Sequence, residues 1–150
     1  MLYAIAALIV VLLVLSARWV PEGQVHTVHR FGRYARALPP GIGFVIPGIE
    51  RIAQRISLID HHLEVPAPAL GSDGTSADLY FQILGPRQAG SALEQVDAVM
   101  RQHADAALSE LAQTRTDDQH APSLSEALKS ALNRRVSSMG LRVIRCALHS

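Results

Sequence analysis

The chain has 150 residues, with 14 Lys and Arg against 13 Asp and Glu and a net charge of +1. That is length enough for one core, and it supplies no overall field that would select a polyanion. The single cysteine, Cys146, excludes an internal disulfide and a cysteine-built metal cage.

Charge is unevenly placed. Residues 18–60 hold six arginines against Glu22, Glu50 and Asp60, residues 61–120 are strongly acidic, and residues 121–150 are basic again. Leu2–Ala17 carries no charge, and ten residues between Leu2 and Leu15 are Leu, Ile or Val. As a helix this run reaches about 24 Å, or roughly 28 Å if it continues through Val20, against a hydrocarbon core of about 30 Å. Tyr3 and Trp19 stand at its ends, where interfacial aromatics belong, and Arg18 can snorkel. The expectation is an uncleaved transmembrane helix over residues 1–19. A cleavable signal peptide fits worse, because nothing basic precedes the run and the small residues near its end are only Ser16 and Ala17. Arg18, Arg30, Arg33 and Arg36 all follow it. The positive-inside rule then gives a single-pass cell-membrane protein, N-terminus outside, with residues 20–150 as a cytoplasmic domain.

Gly23–Arg30 reads as a short strand and Gly32 as a tight turn. The next stretch, Ala37–Ile49, is charge-free and holds three prolines and three glycines around Phe44-Val45-Ile46. Its prolines exclude a helix, and a loop so rich in breakers cannot span a bilayer with its backbone groups satisfied. It either lies in the membrane interface or packs beneath the strands. Arg51–Asp60 alternates, with Ile52, Gln54, Ile56 and Leu58 on one face and Arg51, Arg55 and Ser57 on the other. His61–Pro66 continues extended, Asp73-Gly74 centres a turn, and Leu79, Phe81 and Ile83 share one face of a further strand.

The period then becomes helical. Ser91–Glu94 and Ser123–Glu126 fit capping boxes. Val96, Met100, Ala104, Ala107 and Leu111 make one apolar stripe; Leu124, Leu128, Ala131, Leu132 and Val136 make another. Gly140 is placed to end the second helix, and Leu141–Leu148 is a last strand. The class is α+β, with a mainly antiparallel sheet and two helices packed on it.

No constellation points to catalysis. His61 and His62 are adjacent in an extended segment and diverge, His26 and His29 diverge in a strand, and His103 flanks a core stripe. His120 and His149 read as exposed. Asp117-Asp118 reads as a solvated turn, and the basic Asn133–Arg145 stretch lacks the aromatics of a nucleic-acid site. No metal, cofactor or catalytic residue is assigned, and nucleic acid is not expected as a partner.

Val20–Pro66 resembles the opening of the SPFH, or band 7, domain, the family of stomatins, prohibitins, flotillins and the bacterial HflK/HflC proteins, and the stomatin-like branch most of all. The residues that carry the likeness are Pro21 and Gly23, Arg30 to Tyr34, Pro40-Gly41 through Pro47, Ile52 to Leu58 and Val65-Pro66. The resemblance implies a membrane-anchored, non-enzymatic scaffold that organises lipids or modulates a membrane protease or NfeD-type partner, alone or with a longer family member. It also implies that the Pro-rich segment faces the membrane, so Trp19, Arg30, Arg33, Arg36, Phe44, Val45 and Ile46 are the expected membrane-interface residues. Arginines beside anionic headgroups each gain about 1 kcal/mol. The long Ala/Glu-rich helix of that family has no counterpart before Ser150, so monomers or small oligomers are expected. The alternatives are a membrane-tethered or secreted enzyme of unrecognised class and a truncated adaptor for a single partner.

Overall fold

The computed structural model describes residues 1–70, 74–114 and 121–149. The turn at Asp73, the Asp117-Asp118 pair and His120 lie outside those residues. The fold is α+β and every strand pairing is antiparallel. The strands form three small sheets rather than one, and the chain divides into two compact units, Met1–Ser57 and Leu58–Ser150.

The first unit opens with helix α1 (Leu2–Ser16), followed at once by strand β1 (Ala17–Val20). Strands β2 (Gln24–Arg30), β3 (Arg33–Leu38), β4 (Gly41–Phe44) and β5 (Glu50–Ser57) follow. β1 pairs with β4, and β2 is the centre of a sheet ordered β3-β2-β5. Phe31 and Gly32 both have positive φ, 51° and 78°, and join β2 to β3 in a two-residue turn. Two positive-φ residues give such a turn the twist of its flanking strands. Val20, Val28, Leu38 and Val45 form the small core, with Ile52 packed against it. A bulge at β5 skips Ala53 in the pairing with β2, and Gln54, expected on the buried face, is exposed.

The expected transmembrane helix over residues 1–19 is not what forms. α1 has 15 residues, about 22 Å of rise, and among the described residues no helix is long and apolar enough to cross a membrane. Its end is set by pairing. Ala17 turns extended at φ −68° and ψ 129°, and Ala17–Val20 forms a ladder with Gly41–Phe44. Arg18 and Trp19, expected to prolong the helix, are strand residues. The single-pass topology, with the N-terminus outside, loses its basis with the span.

The second unit holds strands β6 (His61–Pro66) and β7 (Ser76–Ile83), a four-residue helix α2 (Pro86–Ala89), helices α3 (Val96–Thr114) and α4 (Ala121–Val136), and strand β8 (Leu141–His149). The sheet order is β6-β7-β8, with α3 against α4 and β6, and α4 against β8. Alternation buries Leu63 and Val65 on β6, and Ala77, Leu79, Phe81 and Ile83 on β7. The helices bury Met100, Ala104, Ala107 and Leu108 on α3, and Leu124, Leu128, Ala131, Leu132 and Val136 on α4. Ser91–Glu94 falls inside a 3-10 stretch, Gly90–Gln95, ahead of α3, and α4 begins two residues before Ser123.

One side-chain device and one backbone device hold β8. Asn133 on α4 accepts from the Val143 N–H at 2.8 Å and donates to its carbonyl at 3.2 Å, at the bulge where Ile144 drops out of the pairing with β7. Gly140 is left-handed, φ 70° and ψ 21°, and its carbonyl accepts from the N–H groups of Leu84 and Gly85.

Candidate functional site

The charge-free Ala37–Ile49 segment is only partly a loop. Gly41–Phe44 becomes β4 because β1 lies beside it, with Trp19 opposite Ile42 and Ala17 opposite Phe44. Alternate residues of a strand share a face. Trp19, Ile42 and Phe44 therefore stand together on the outer face, 72%, 68% and 54% exposed. Val20 and Val45 turn inward to the core. Gly43 keeps β4 close: a Cβ there would meet both Leu38 methyls at 3.0 Å.

The ladder runs on into α1. The Val45 N–H donates to the Ser16 carbonyl at 2.9 Å, and the Ser16 hydroxyl donates to the Val45 carbonyl at 2.8 Å. α1 itself buries no residue. Its apolar side chains and the outer face of β1 and β4 are thus neighbours along one chain segment, joined at a fixed point.

Beyond Val45 the chain folds over one carboxylate. Pro47-Gly48 makes a turn in which Gly48 has φ 86° and the Ile49 N–H donates to the Ile46 carbonyl, the geometry of Pro followed by a positive-φ Gly in a type II turn. Glu50, its side chain 0% exposed, sits beneath. Its oxygens accept from Arg30 Nη2 at 2.7 Å, Arg36 Nη2 at 2.9 Å and the Ile46 N–H at 3.1 Å. Arg36 Nη2 also donates to the Phe44 carbonyl at 2.5 Å. The hydrogen bond from Arg30 is the main cause that holds the Glu50 carboxyl below its ordinary value of 4.5; burial opposes it, and the Ile46 N–H and the two guanidinium charges reinforce it.

The seven expected interface residues are therefore placed in four different ways. Trp19 and Phe44 share the exposed apolar face, and Ile46 is exposed just beyond it. Val45 is buried in the core. Arg33 is exposed where β3 begins, whereas Arg30 and Arg36 are committed to Glu50. Ile42 and Glu50 were not singled out by the sequence. Alternation from Phe44 could have found Ile42, and the first acid after the charge-free run could have found Glu50.

In the second unit, His61 stacks on Phe81 and His62 on Tyr80, from opposite faces of the sheet. Asp78 receives His62 Nε2 and His149 Nε2, each at 3.2 Å. Among the described residues no group of three or more His, Cys, Asp or Glu is placed to hold a metal. Burial, with Glu126 and Asp78 adding to it, pushes the Cys146 thiol up to about 11.

Residues 18–149 match the sequence pattern described as SPFH domain / Band 7 family. An uncharacterised protein of Schizosaccharomyces pombe is 32% identical over 139 residues, 85% of this chain and 38% of its own length. Human "Stomatin-like protein 2, mitochondrial" is 29% identical over 138 residues, again 85% of this chain and 38% of its own. An uncharacterised protein of Mycobacterium tuberculosis is 24% identical over 143 residues, 90% and 38%. The chain thus spans 38% of the length of these relatives.

Proposed function

This chain belongs to the SPFH domain / Band 7 family, and from that membership we propose a non-enzymatic scaffold that docks on a lipid surface through α1 and the outer face of the β1–β4 ladder. The observation that carries the reading is continuity of apolar surface. A helix with no buried residue passes, through the Ser16–Val45 joint, into a ladder faced by Trp19, Ile42 and Phe44. Contiguous exposed apolar surface marks a protein or membrane interaction site. Lipid is favoured over a protein groove because α1 has no charged position on any side, whereas a helix laid in a groove keeps a polar face. At about 22 Å, α1 sinks into the apolar layer without crossing it.

Docked in this way, the domain organises the lipids around it or modulates a membrane protease or an NfeD-type partner. A longer member of the same family is its natural co-assembly partner. The non-enzymatic reading is supported by where the reactive groups are spent. Glu50 is saturated by two arginines and a backbone N–H, and Cys146, with its thiol near 11, is protonated at neutral pH.

Flotation of the intact chain with phosphatidylcholine vesicles tests this reading. The wild type should float, and Ile42→Asp and Phe44→Asp should each lower the floated fraction several-fold while leaving the circular dichroism spectrum unchanged. A wild type that stays at the bottom of the gradient, or aspartate variants that float equally well, would refute it.

A further inference from the structure

On the inner side of the same unit, where α1 meets β1, lies a cleft of about 490 Å³. Leu15, Val45 and Ile52 form its apolar wall, and Arg18, Arg51 and Arg55 also line it. These are not the arginines tied to Glu50. Among the described residues, no acidic side chain lies in ion-pair range of Arg18, Arg51 or Arg55. β5 supplies Arg51 and Arg55, across from His29 and His26 of β2, and β1 supplies Arg18. Glu50 also lines the cleft, but its carboxylate is already held by Arg30 and Arg36. The cleft and its border thus gather five guanidinium groups around a single carboxylate.

Such an excess of positive charge beside an apolar wall has a definite complement. Guanidinium groups present a planar fork of donors that matches phosphate oxygens. An apolar wall ending in Leu15, the penultimate residue of α1, suits a hydrocarbon chain lying along that helix. We propose that this cleft binds the phosphate of an anionic phospholipid headgroup, with the acyl chain directed along α1. The inference rests on the lipid-docking reading above and deepens it, because it assigns charge selectivity to Arg18, Arg51 and Arg55 instead of Arg30 and Arg36. Arg18 neighbours Trp19 in β1 but points to the opposite face of the ladder, so a headgroup held there lies behind the face that enters the lipid, at the end of α1.

The test uses the intact chain and four probes: vesicles of phosphatidylcholine alone, vesicles that also contain phosphatidylglycerol, soluble dihexanoyl phosphatidic acid, and inorganic phosphate. Wild type should bind the anionic vesicles about tenfold more tightly than the neutral ones, and this gain should fall with added salt. Arg51→Gln with Arg55→Gln should abolish the gain. The charge-matched control, Arg142→Gln with Arg145→Gln in the second unit, should retain it. If the control loses the gain equally, or the β5 variant keeps it, the cleft assignment is overturned while lipid docking stands. If neither vesicle binds but dihexanoyl phosphatidic acid does, in an Arg51- and Arg55-dependent way, docking fails and the cleft stands. Inorganic phosphate binding as well as the short-chain lipid would overturn the lipid assignment, and no binding of any probe would overturn both.

Discussion

Arg36 and Glu50, fourteen residues apart, form a 2.9 Å ion pair in which the carboxylate is wholly buried and the guanidinium is half exposed. The same guanidinium holds the Phe44 carbonyl. One arginine therefore ties the end of β4 to the start of β5, and with Arg30 it closes the Pro47-Gly48 turn over Glu50. A buried charge with good partners contributes little against an apolar replacement, but removing one member leaves the rest unpaired.

Glu50→Gln should accordingly destabilise the first unit by on the order of 2–3 kcal/mol, read as a shift in the urea midpoint. Its pH dependence has a fixed sign. The folded carboxyl titrates below 4.5, so its contribution is complete above that value and is lost as pH falls through the folded pKa. The wild type should lose stability in that acid window, and the Gln variant should lose correspondingly less. Equal acid sensitivity in the two proteins would remove Glu50 from the account.

His26 behaves in the opposite chemical sense. It is buried in β2 with neither ring nitrogen hydrogen-bonded, and burial, then the Arg55 charge across the sheet, lowers its pKa below 6.5. The unfolded chain takes up the proton first, so stability is full above about 6.5 and declines as pH falls from there toward the folded pKa. His26→Leu should flatten this decline and leave stability at neutral pH unchanged or higher by about 1 kcal/mol. Denaturation on either side of pH 6.5 measures both effects, and a variant with the wild-type slope would contradict the assignment.

Gly140→Ala should be among the costliest single substitutions in the second unit. The left-handed backbone alone penalises a side chain by about 1–2 kcal/mol, and a Cβ would meet the Gly85 oxygen at 2.5 Å and its Cα at 2.8 Å. Thermal unfolding should show the loss, and a midpoint within a degree or so of wild type would show that the two backbones separate freely.

Several elements could be read directly. β7 and α4 each bury one face at a clean period, so Leu79, Phe81 and Ile83, and Leu124 to Val136, announced themselves. β1 could not be read locally. Nothing between Ser16 and Trp19 breaks a helix, and what ends α1 is a partner strand more than twenty residues away. β4 was hidden because two of its four residues are glycine, and tertiary pairing overrides such weak strand propensity. The candidate site was half legible for the same reason. Phe44 and Ile46 follow from an apolar, charge-free run, and Trp19 from its place just beyond another. The assignment of Arg30 and Arg36 to headgroups missed Glu50, the first acid after the run that holds Phe44, because nothing local shows that the two arginines fold back onto it. Arg51 and Arg55 looked like the solvated face of an ordinary strand.

The most direct measurement of the central claim uses Trp19, the one tryptophan in the chain. Its side chain stands on the outer face of the ladder, 72% exposed. Added phosphatidylcholine vesicles should shift its emission to the blue, and lipids brominated near the headgroup should quench it while aqueous acrylamide loses access. Emission that stays at the water-exposed wavelength, with undiminished acrylamide quenching at saturating lipid, would contradict docking through this face.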